Sequence, residues 1–164
     1  MSATSSGEGT SYSGEPLRPE ELAAWRGFLR VHSAILKELD SELVAAHGLS
    51  LSAYEVLLFL ADAPDGQMRM SDLADGVLLS RSGLSRLVDR LEQARLVERE
   101  RCDTDARGLN AVLTTAGRRK FNAARKVHLA GVRERFLAPL SEEDRQVLAE
   151  IWERLRPGAV TDPA

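Results

Sequence analysis

Apolar side chains recur every three or four residues from about residue 20 to residue 45, which is the spacing of one face of an α-helix. Phe28, Val31 and Ile35 widen this face beyond a single seam. The pattern therefore predicts a helix of about 25 residues that packs on two partners at once, one of which can be another subunit. The glycine after His47 is expected to end the helix. The main stripe consists of Leu22, Trp25, Leu29, His32, Leu36, Leu39 and Leu43.

Two short, closely spaced helices are predicted between residues 70 and 91. Ser71 and Ser80 are the candidate N-caps, because a serine hydroxyl accepts a hydrogen bond from the first turn of a helix. Two such helices joined by a tight turn are typical of a helix-turn-helix. The second helix has hydroxyl and guanidinium groups on its outer face, and these suit contact with bases in a DNA major groove. The predicted inward residues are Leu73, Ala74 and Val77, then Leu84, Leu87, Val88 and Leu91, and the outward residues of the second helix are Arg81, Ser82, Ser85, Arg86, Asp89 and Arg90.

A β-hairpin is predicted directly after these helices. Apolar and polar residues alternate from Val97 to Cys102 and again from Leu109 to Leu113, with a polar segment between the two strands. A helix-turn-helix followed by a charged hairpin is a winged helix. Arg107 lies near the hairpin tip, where an arginine can enter the narrow minor groove of DNA. Asp105 can hold its guanidinium group in place.

Three further helices complete the prediction. They span Ala53 to Ala61 after a cap at Ser50 or Ser52, Thr115 to about Leu137, and a segment that starts at Ser141. The fold class is therefore mainly α with a small β-hairpin (α+β), a winged helix-turn-helix with long N- and C-terminal helices.

Charge is unevenly distributed along the chain. The formal net charge is −3 over 164 residues, which taken alone argues against nucleic acid as a partner. Residues 1–62 contain 4 basic and 9 acidic side chains, whereas residues 108–135 contain 7 basic and 1 acidic. One surface can therefore face a polyanion while another faces a partner or solvent. For Arg118, Arg119 and Lys120 two roles stay open, contact with backbone phosphates and solubility of a dimer helix.

Other classes of function lack their sequence signatures. The longest apolar run, Val56 to Ala61, is far shorter than the about 20 residues that a membrane span needs. Cys102 is the single cysteine, so an intramolecular disulfide is excluded and the expected compartment is the cytoplasm. The sequence contains no nucleophile elbow, phosphate-binding glycine loop, paired metal ligands or cofactor fingerprint. We therefore expect no catalysis, no metal and no cofactor.

Several of these segments together resemble the multiple-antibiotic-resistance regulator (MarR) family of bacterial transcription factors, over residues 20–155. The resemblance implies one winged-helix domain at 19–156, with dimerisation helices at 19–48 and 115–156 and a DNA-binding part at 50–114. Residues 1–18 and 157–164 are expected to be tails. The segments that carry the resemblance are Ser80, Arg86-Leu87-Val88-Asp89-Arg90-Leu91-Glu92, Leu96-Val97-Glu98-Arg99, Asp105, Arg107 and Leu113-Thr114-Thr115-Ala116-Gly117.

The resemblance also implies a function. It predicts an obligate homodimer that binds double-stranded DNA at a pseudo-palindromic operator and represses transcription by occluding a promoter. Ser82, Ser85 and Arg86 are expected to face bases or phosphates, while Arg107 acts as the wing arginine and Asp105 orients it. A small aromatic or anionic effector is expected to release the DNA. The candidate pocket residues are Trp25, His32, Tyr54 and His128, for which simple packing is the alternative role.

Two positions depart from the family pattern. Arg95 stands where the family usually has glycine, so this arginine must tolerate an unusual backbone angle or shift the turn. Ala106-Arg107 replaces the usual pair of arginines, so Arg107 is expected to carry more of the wing's role.

Two alternatives to a ligand-controlled regulator stay open. Cys102 can act as a redox switch in a regulator of the same fold, or it can be a small buried hydrophobe in the wing strand. A winged helix can also serve as a protein-interaction module that does not bind DNA. Salt distinguishes the last alternative, because DNA contact predicts an affinity that falls steeply as salt rises.

Overall fold

The computed structural model describes residues 14–77, 79–102, 105–158 and 160, and at residues 102 and 105–107 it describes the backbone alone. Within these ranges the chain is mainly helical with a small antiparallel sheet, which confirms the predicted fold class. A 3₁₀ turn at Pro64–Gly66 and a π-helical turn at Arg133–Leu137 lie between the main elements. These elements are α1 (Pro19–His47), α2 (Leu51–Asp62), β1 (Gln67–Arg69), α3 (Met70–Gly76), α4 (Arg81–Gln93), β2 (Val97–Cys102), β3 (Asp105–Leu113), α5 (Thr115–Val132) and α6 (Glu142–Leu155).

The chain divides into two compact units, with the division between Ser33 and Ala34. In the first unit, the backbone amide and the guanidinium of Arg18 donate to the Glu21 carboxylate at 2.8 and 2.7 Å. These bonds satisfy polar groups where α1 begins. The second unit contains the C-terminal part of α1, the remaining helices and the sheet.

The core of the second unit lies between the C-terminal part of α1, the helices α2, α3, α4 and α5, and the sheet. Its largest fully buried side chains include Tyr54, Leu57 and Leu60 of α2. Every inward residue predicted for the helix-turn-helix is buried, so this packing prediction is confirmed. These residues are Leu73 and Ala74 of α3, Val77 directly after α3, and Leu84, Leu87, Val88 and Leu91 of α4.

Local hydrogen bonds set the junction between α1 and α2. Gly48 has a φ of 61° and ends α1, as its position after His47 predicts. Ser50 then caps α2 by accepting a hydrogen bond from the amide of Ala53 at 3.2 Å. Asp40 of α1 accepts a second bond, from the amide of Leu51 at 2.8 Å. The start of α2 is therefore fixed from two directions.

The sheet contains a strand that the sequence pattern did not predict. The strand order is β1-β3-β2, and both neighbours run antiparallel to β3. Met68 of β1 and Arg99 of β2 both pair with Ala111, which is fully buried. β1 leads directly into α3, so the predicted N-cap at Ser71 was wrong. The cap position is Arg69, and the hydroxyl of Ser71 donates to Asp72 at 2.9 Å instead.

The C-terminal helices follow their predicted positions. Thr114 caps α5 by accepting from the amide of Gly117 at 2.9 Å, and the π-helical turn carries the helix on to Leu137. Ser141 and Asp144 form a reciprocal capping box at the start of α6.

Much of the apolar stripe on α1 is exposed in the single chain. Leu39 and Leu43 are buried, and the exposed large side chains of α1 are Trp25, Phe28, Leu29, Val31, Leu36 and Val44. On α6, Leu155 is 73% exposed. No single helix in the described ranges has the length and apolar character of a membrane span, and the bent pair of α1 and α2 meets that test only jointly, by length and composition.

Candidate nucleic-acid interface

The outer face of α4 carries small hydroxyls and guanidinium groups. Ser80 caps this helix as predicted, because its Oγ accepts from the amide of Gly83 at 3.1 Å. The same Oγ lies 3.3 Å from the hydroxyl of Ser82. Since the opposite face of α4 is buried in the core, the helix can present only its polar face. Each predicted outward residue is exposed, namely Arg81, Ser82, Ser85, Arg86, Asp89 and Arg90.

Arg99 of β2 fastens α4 to the sheet. Its guanidinium contacts the carboxylates of Glu92 at 2.6 Å and Asp89 at 2.7 Å, and it donates to the carbonyl of Ser85 at 3.0 Å. The Arg99 side chain is only 17% exposed. In the sequence, Arg99 stands out only as part of the Leu96-Val97-Glu98-Arg99 segment that carries the family resemblance, and no contact was predicted for it. The available signal was the alternation of β2, which places Arg99 on the same side as buried Val97.

The turn from α4 to β2 has an unusual backbone angle, which is one of the two outcomes that the sequence left open at Arg95. Arg95 has a φ of 58°, so it tolerates the left-handed conformation in place of the family's glycine. The hydroxyl of Thr114 lies 2.8 Å from the carbonyl oxygen of Arg95 and 3.1 Å from that of Leu96, and it can donate to either. Gly117 lets α5 approach this turn, since a Cβ at that position would lie 2.0 Å from the carbonyl oxygen of Leu96.

The wing is formed by β2 and β3. β3 begins at Asp105, four residues before the predicted start at Leu109, and the pairing shifts register between Arg101 and Cys102. The side chains of Asp105, Arg107 and Cys102 lie outside the described part of the structure. Their proposed contacts and the redox role of Cys102 therefore stay predictions.

An open groove of about 400 Å³ lies beside the start of α4. Its walls come from the start of α3, from α4 and from the two wing strands, and three arginines line it: Arg69, Arg81 and Arg99. A concave surface lined by guanidinium groups attracts anions such as phosphate. Because Asp89 and Glu92 balance the charge of Arg99, the positive character of the groove comes from Arg69 and Arg81.

Comparisons with known proteins agree with this geometry. A model of the MarR family matches residues 47–108, which include α2, the helix-turn-helix and the start of the wing. The regulator AbsC from Streptomyces coelicolor has a TM-score of 0.81 and 36% identity, covering 86% of this chain and 95% of AbsC. The chain belongs to the MarR family.

Two other MarR-type regulators are similar to this chain. Sco3205 from Streptomyces coelicolor, solved in complex with DNA, has a TM-score of 0.80 and 33% identity, covering 86% of this chain and 94% of Sco3205. The transcriptional repressor MdtR of Bacillus subtilis is 33% identical over 100 residues, which are 59% of this chain and 62% of MdtR. The matched region thus spans less than two thirds of MdtR.

The effector residues predicted from the MarR resemblance fall in both units. In the second unit, the rings of Tyr54 and His128 lie 4.5 Å apart, and Tyr54 is 2% exposed. Nδ1 of His128 is buried and has no hydrogen-bond partner in the described part of the chain. Burial lowers the pKa of His128, so its neutral form is favoured. In the first unit, Trp25 and His32 are exposed, and their ring centroids lie 6.0 and 5.8 Å from the ring centroid of Phe28.

The structure gives different surroundings to the three basic residues at the start of α5. Arg118 donates to the carbonyl of Ala61, near the end of α2, at 3.0 Å, which favours a structural role over phosphate contact. Arg119 is exposed and Lys120 is half-buried, so their roles stay open. In the described ranges, no three His, Cys, Asp or Glu side chains are grouped so that they could hold a metal ion.

Proposed function

We propose that this MarR-family chain is a homodimeric transcriptional regulator that places α4 in the major groove of a pseudo-palindromic operator. The observation that carries the proposal is the outer face of α4, which is polar, cationic and exposed along its whole length. The Ser80 cap and the Arg99 contacts hold this face in a defined position. The similarity to Sco3205, which was solved in complex with DNA, supports DNA as the partner.

Each residue of the proposed interface has a role that its size and charge allow. Ser82 and Ser85 permit close approach to base edges, and Arg86 can bond guanine through two donors. Arg81 and Arg90 lie at the two ends of the same face and suit backbone phosphates. At the wing, Arg107 enters the minor groove and Asp105 orients it, as the family resemblance implies.

Dimerisation explains the exposed apolar residues of α1. A soluble monomer rarely leaves so many large apolar side chains in contact with water. Packing of α1, α5 and α6 against a second copy would cover them. Two copies of α4 would then read half-sites that lie about one helical turn, or about 10 base pairs, apart.

Repression and its relief complete the proposal. A dimer bound across a promoter, in the cytoplasm, excludes polymerase from it. A small aromatic or anionic effector releases the DNA if it prefers a spacing of the two DNA-binding parts that does not fit the operator, because only differential affinity shifts such an equilibrium. The adjacent rings of Tyr54 and His128 are candidate contacts for an aromatic effector, and Trp25 and His32 stay candidates from the sequence.

The test is selection of genomic DNA fragments by the purified protein at near-physiological salt. Wild-type protein and an Arg18→Ala control, which removes an exposed arginine that precedes α1, are expected to enrich one inverted repeat. Arg86→Ala is expected to lose that enrichment while remaining a folded dimer. For the selected operator, log affinity should fall with log salt at about 0.9 per phosphate neutralised.

Other outcomes contradict the proposal. If a folded wild-type dimer enriches no DNA and its affinity for duplexes is independent of salt, the protein-interaction alternative is supported. If oxidant releases the operator from wild type and not from Cys102→Ser, the effector is redox chemistry and not a small ligand.

A further inference from the structure

Arg99 contacts three successive points along α4. Its acceptors are the carbonyl oxygen of Ser85 and the carboxylates of Asp89 and Glu92, at 3.0, 2.7 and 2.6 Å. These residues are four and three positions apart, so they lie on one side of the helix, and they span about 10 Å along its axis. The backbone amide of Arg99 also donates to Glu92, at 3.3 Å. One side chain of β2 thus contacts two turns of α4.

We infer that Arg99 is a positioning residue for DNA recognition: it fixes the rotation of α4 about its axis, and the position of α4 along that axis, relative to the wing. This inference rests on the proposed function. The planar guanidinium has a rigid arrangement of donors, so contacts spread along a helix axis resist both sliding and rotation. Ser85 is a proposed DNA contact, and Arg99 holds its carbonyl group. β2 is one strand of the wing, so the same contacts set the distance between the two DNA-reading elements, α4 and the wing.

Arg99 itself is poorly suited to bind a phosphate. Both of its terminal nitrogens are engaged by groups of α4, and most of its side chain is covered. Its charge is balanced by two carboxylates that lie within 3 Å. A residue in this state contributes little to counterion release, whereas an exposed arginine such as Arg86 can contribute fully.

The principal test is Arg99→Lys in the full-length protein, assayed on the selected operator and on a scrambled duplex of equal length. Lysine keeps the positive charge but cannot reach several acceptors in a fixed fork. We expect affinity for the operator to fall about tenfold, the effect of misplacing one good base contact. Affinity for the scrambled duplex and the salt slope should stay unchanged. Arg101→Lys, an exposed position on the same strand, is the matched control and should behave as wild type.

Asp89→Asn gives a second test that does not depend on the folding of Arg99→Lys. Asp89 is half exposed, so the variant should fold. On charge alone, removal of a carboxylate from a DNA-facing helix should strengthen binding to both duplexes equally. The positioning role predicts instead that the preference for the operator over the scrambled duplex falls. Amide hydrogen exchange in α4 should also become faster in both variants.

The outcomes are distinguishable. An Arg99→Lys variant that retains the operator preference, or that weakens binding to both duplexes equally, overturns the positioning role and leaves the proposed function intact. A fall in the salt slope of about 0.9 would show a direct phosphate contact and also overturn it. A wild-type protein with no operator preference overturns the proposed function together with this inference.

Discussion

Three glycine-to-alanine substitutions should affect stability in an order that their surroundings determine. The critical one is Gly117→Ala, at the point where α5 approaches the α4–β2 turn. Its new Cβ would lie 2.0 Å from the carbonyl oxygen of Leu96 and 2.7 Å from Cδ1 of Leu113. The oxygen belongs to the backbone and lies beside the Thr114 hydroxyl, so it cannot rotate away. The chain must therefore move by more than about 1 Å to restore an ordinary contact.

The magnitude follows from two opposing effects. Alanine is favoured over glycine inside a helix by about 1 kcal/mol. Overpacking, with the backbone shifts it forces, costs about 1–3 kcal/mol. Since backbone must move here, the cost should lie at the upper end, and we expect Gly117→Ala to lose about 2 kcal/mol net. At Gly131 the Cβ would meet the ends of two flexible side chains, Leu39 at 2.6 Å and Glu42 at 2.8 Å, so the loss should be smaller. At Gly27, in α1, a Cβ would meet nothing within 4 Å in the described part of the single chain, and alanine there should not destabilise.

The assay is urea unfolding followed by circular dichroism, at one fixed protein concentration because the proposed dimerisation would link stability to concentration. The expected order of stability is Gly27→Ala, then Gly131→Ala, then Gly117→Ala. A Gly117→Ala protein that is as stable as wild type, with an unchanged m value, would refute the close-approach argument. Gly117 would then be a replaceable helix residue.

Three further substitutions test single contacts. Thr114→Val removes both the hydroxyl's bonds to the α4–β2 turn and the cap of α5, and it should lower the free energy of unfolding by about 1–2 kcal/mol. Thr114→Ser keeps the hydroxyl and should keep most of the wild-type stability. Equal losses for the two variants would contradict the hydroxyl's role. Burial lowers the pKa of His128 from its usual 6.5, so the unfolded chain binds a proton first and stability falls as pH drops below that value. Measured by urea unfolding, His128→Phe should lose less stability than wild type between pH 7.5 and 5.5. An identical pH dependence in the two proteins would argue against this role of His128. Burial raises the pKa of Glu55 from its usual 4.5, so its carboxylate opposes folding at pH 7. Glu55→Gln should raise the urea midpoint there, with a gain that shrinks as pH falls towards 4.5, and a lower midpoint at pH 7 would show an unrecognised favourable contact.

The elements that the sequence predicts well are those set by neighbours within a few residues. α4 is an example, because its apolar spacing, its Ser80 cap and its exposed arginines all lie within one 14-residue stretch. The left-handed angle of Arg95 was also predictable, since the family pattern marks that position for glycine. In each case the determining atoms are close in the chain.

The features that the sequence did not predict depend on distant residues. β1 has three residues, too few for a clear alternation, and it is a strand only because β3 pairs with it more than 40 residues later. Ser71 failed as a cap for the same reason, since the pairing of β1 brings the chain into the helix before Ser71 is reached. The contacts of Arg99 likewise need the folded arrangement of β2 against α4.

The apolar stripe of α1 shows where local pattern stops being informative. Leu36 and Leu39 belong to one repeat and look equivalent in the sequence, yet Leu36 is 38% exposed and Leu39 is 3% exposed. Periodicity shows only that a face is apolar. A protein's own core and a partner surface both exclude water from such a face in the same way. Periodicity does not report which of the two covers a given residue. For that reason the exposed part of the stripe in the single chain is the physical argument for a second copy, and a dimer that formed without burying it would contradict that argument.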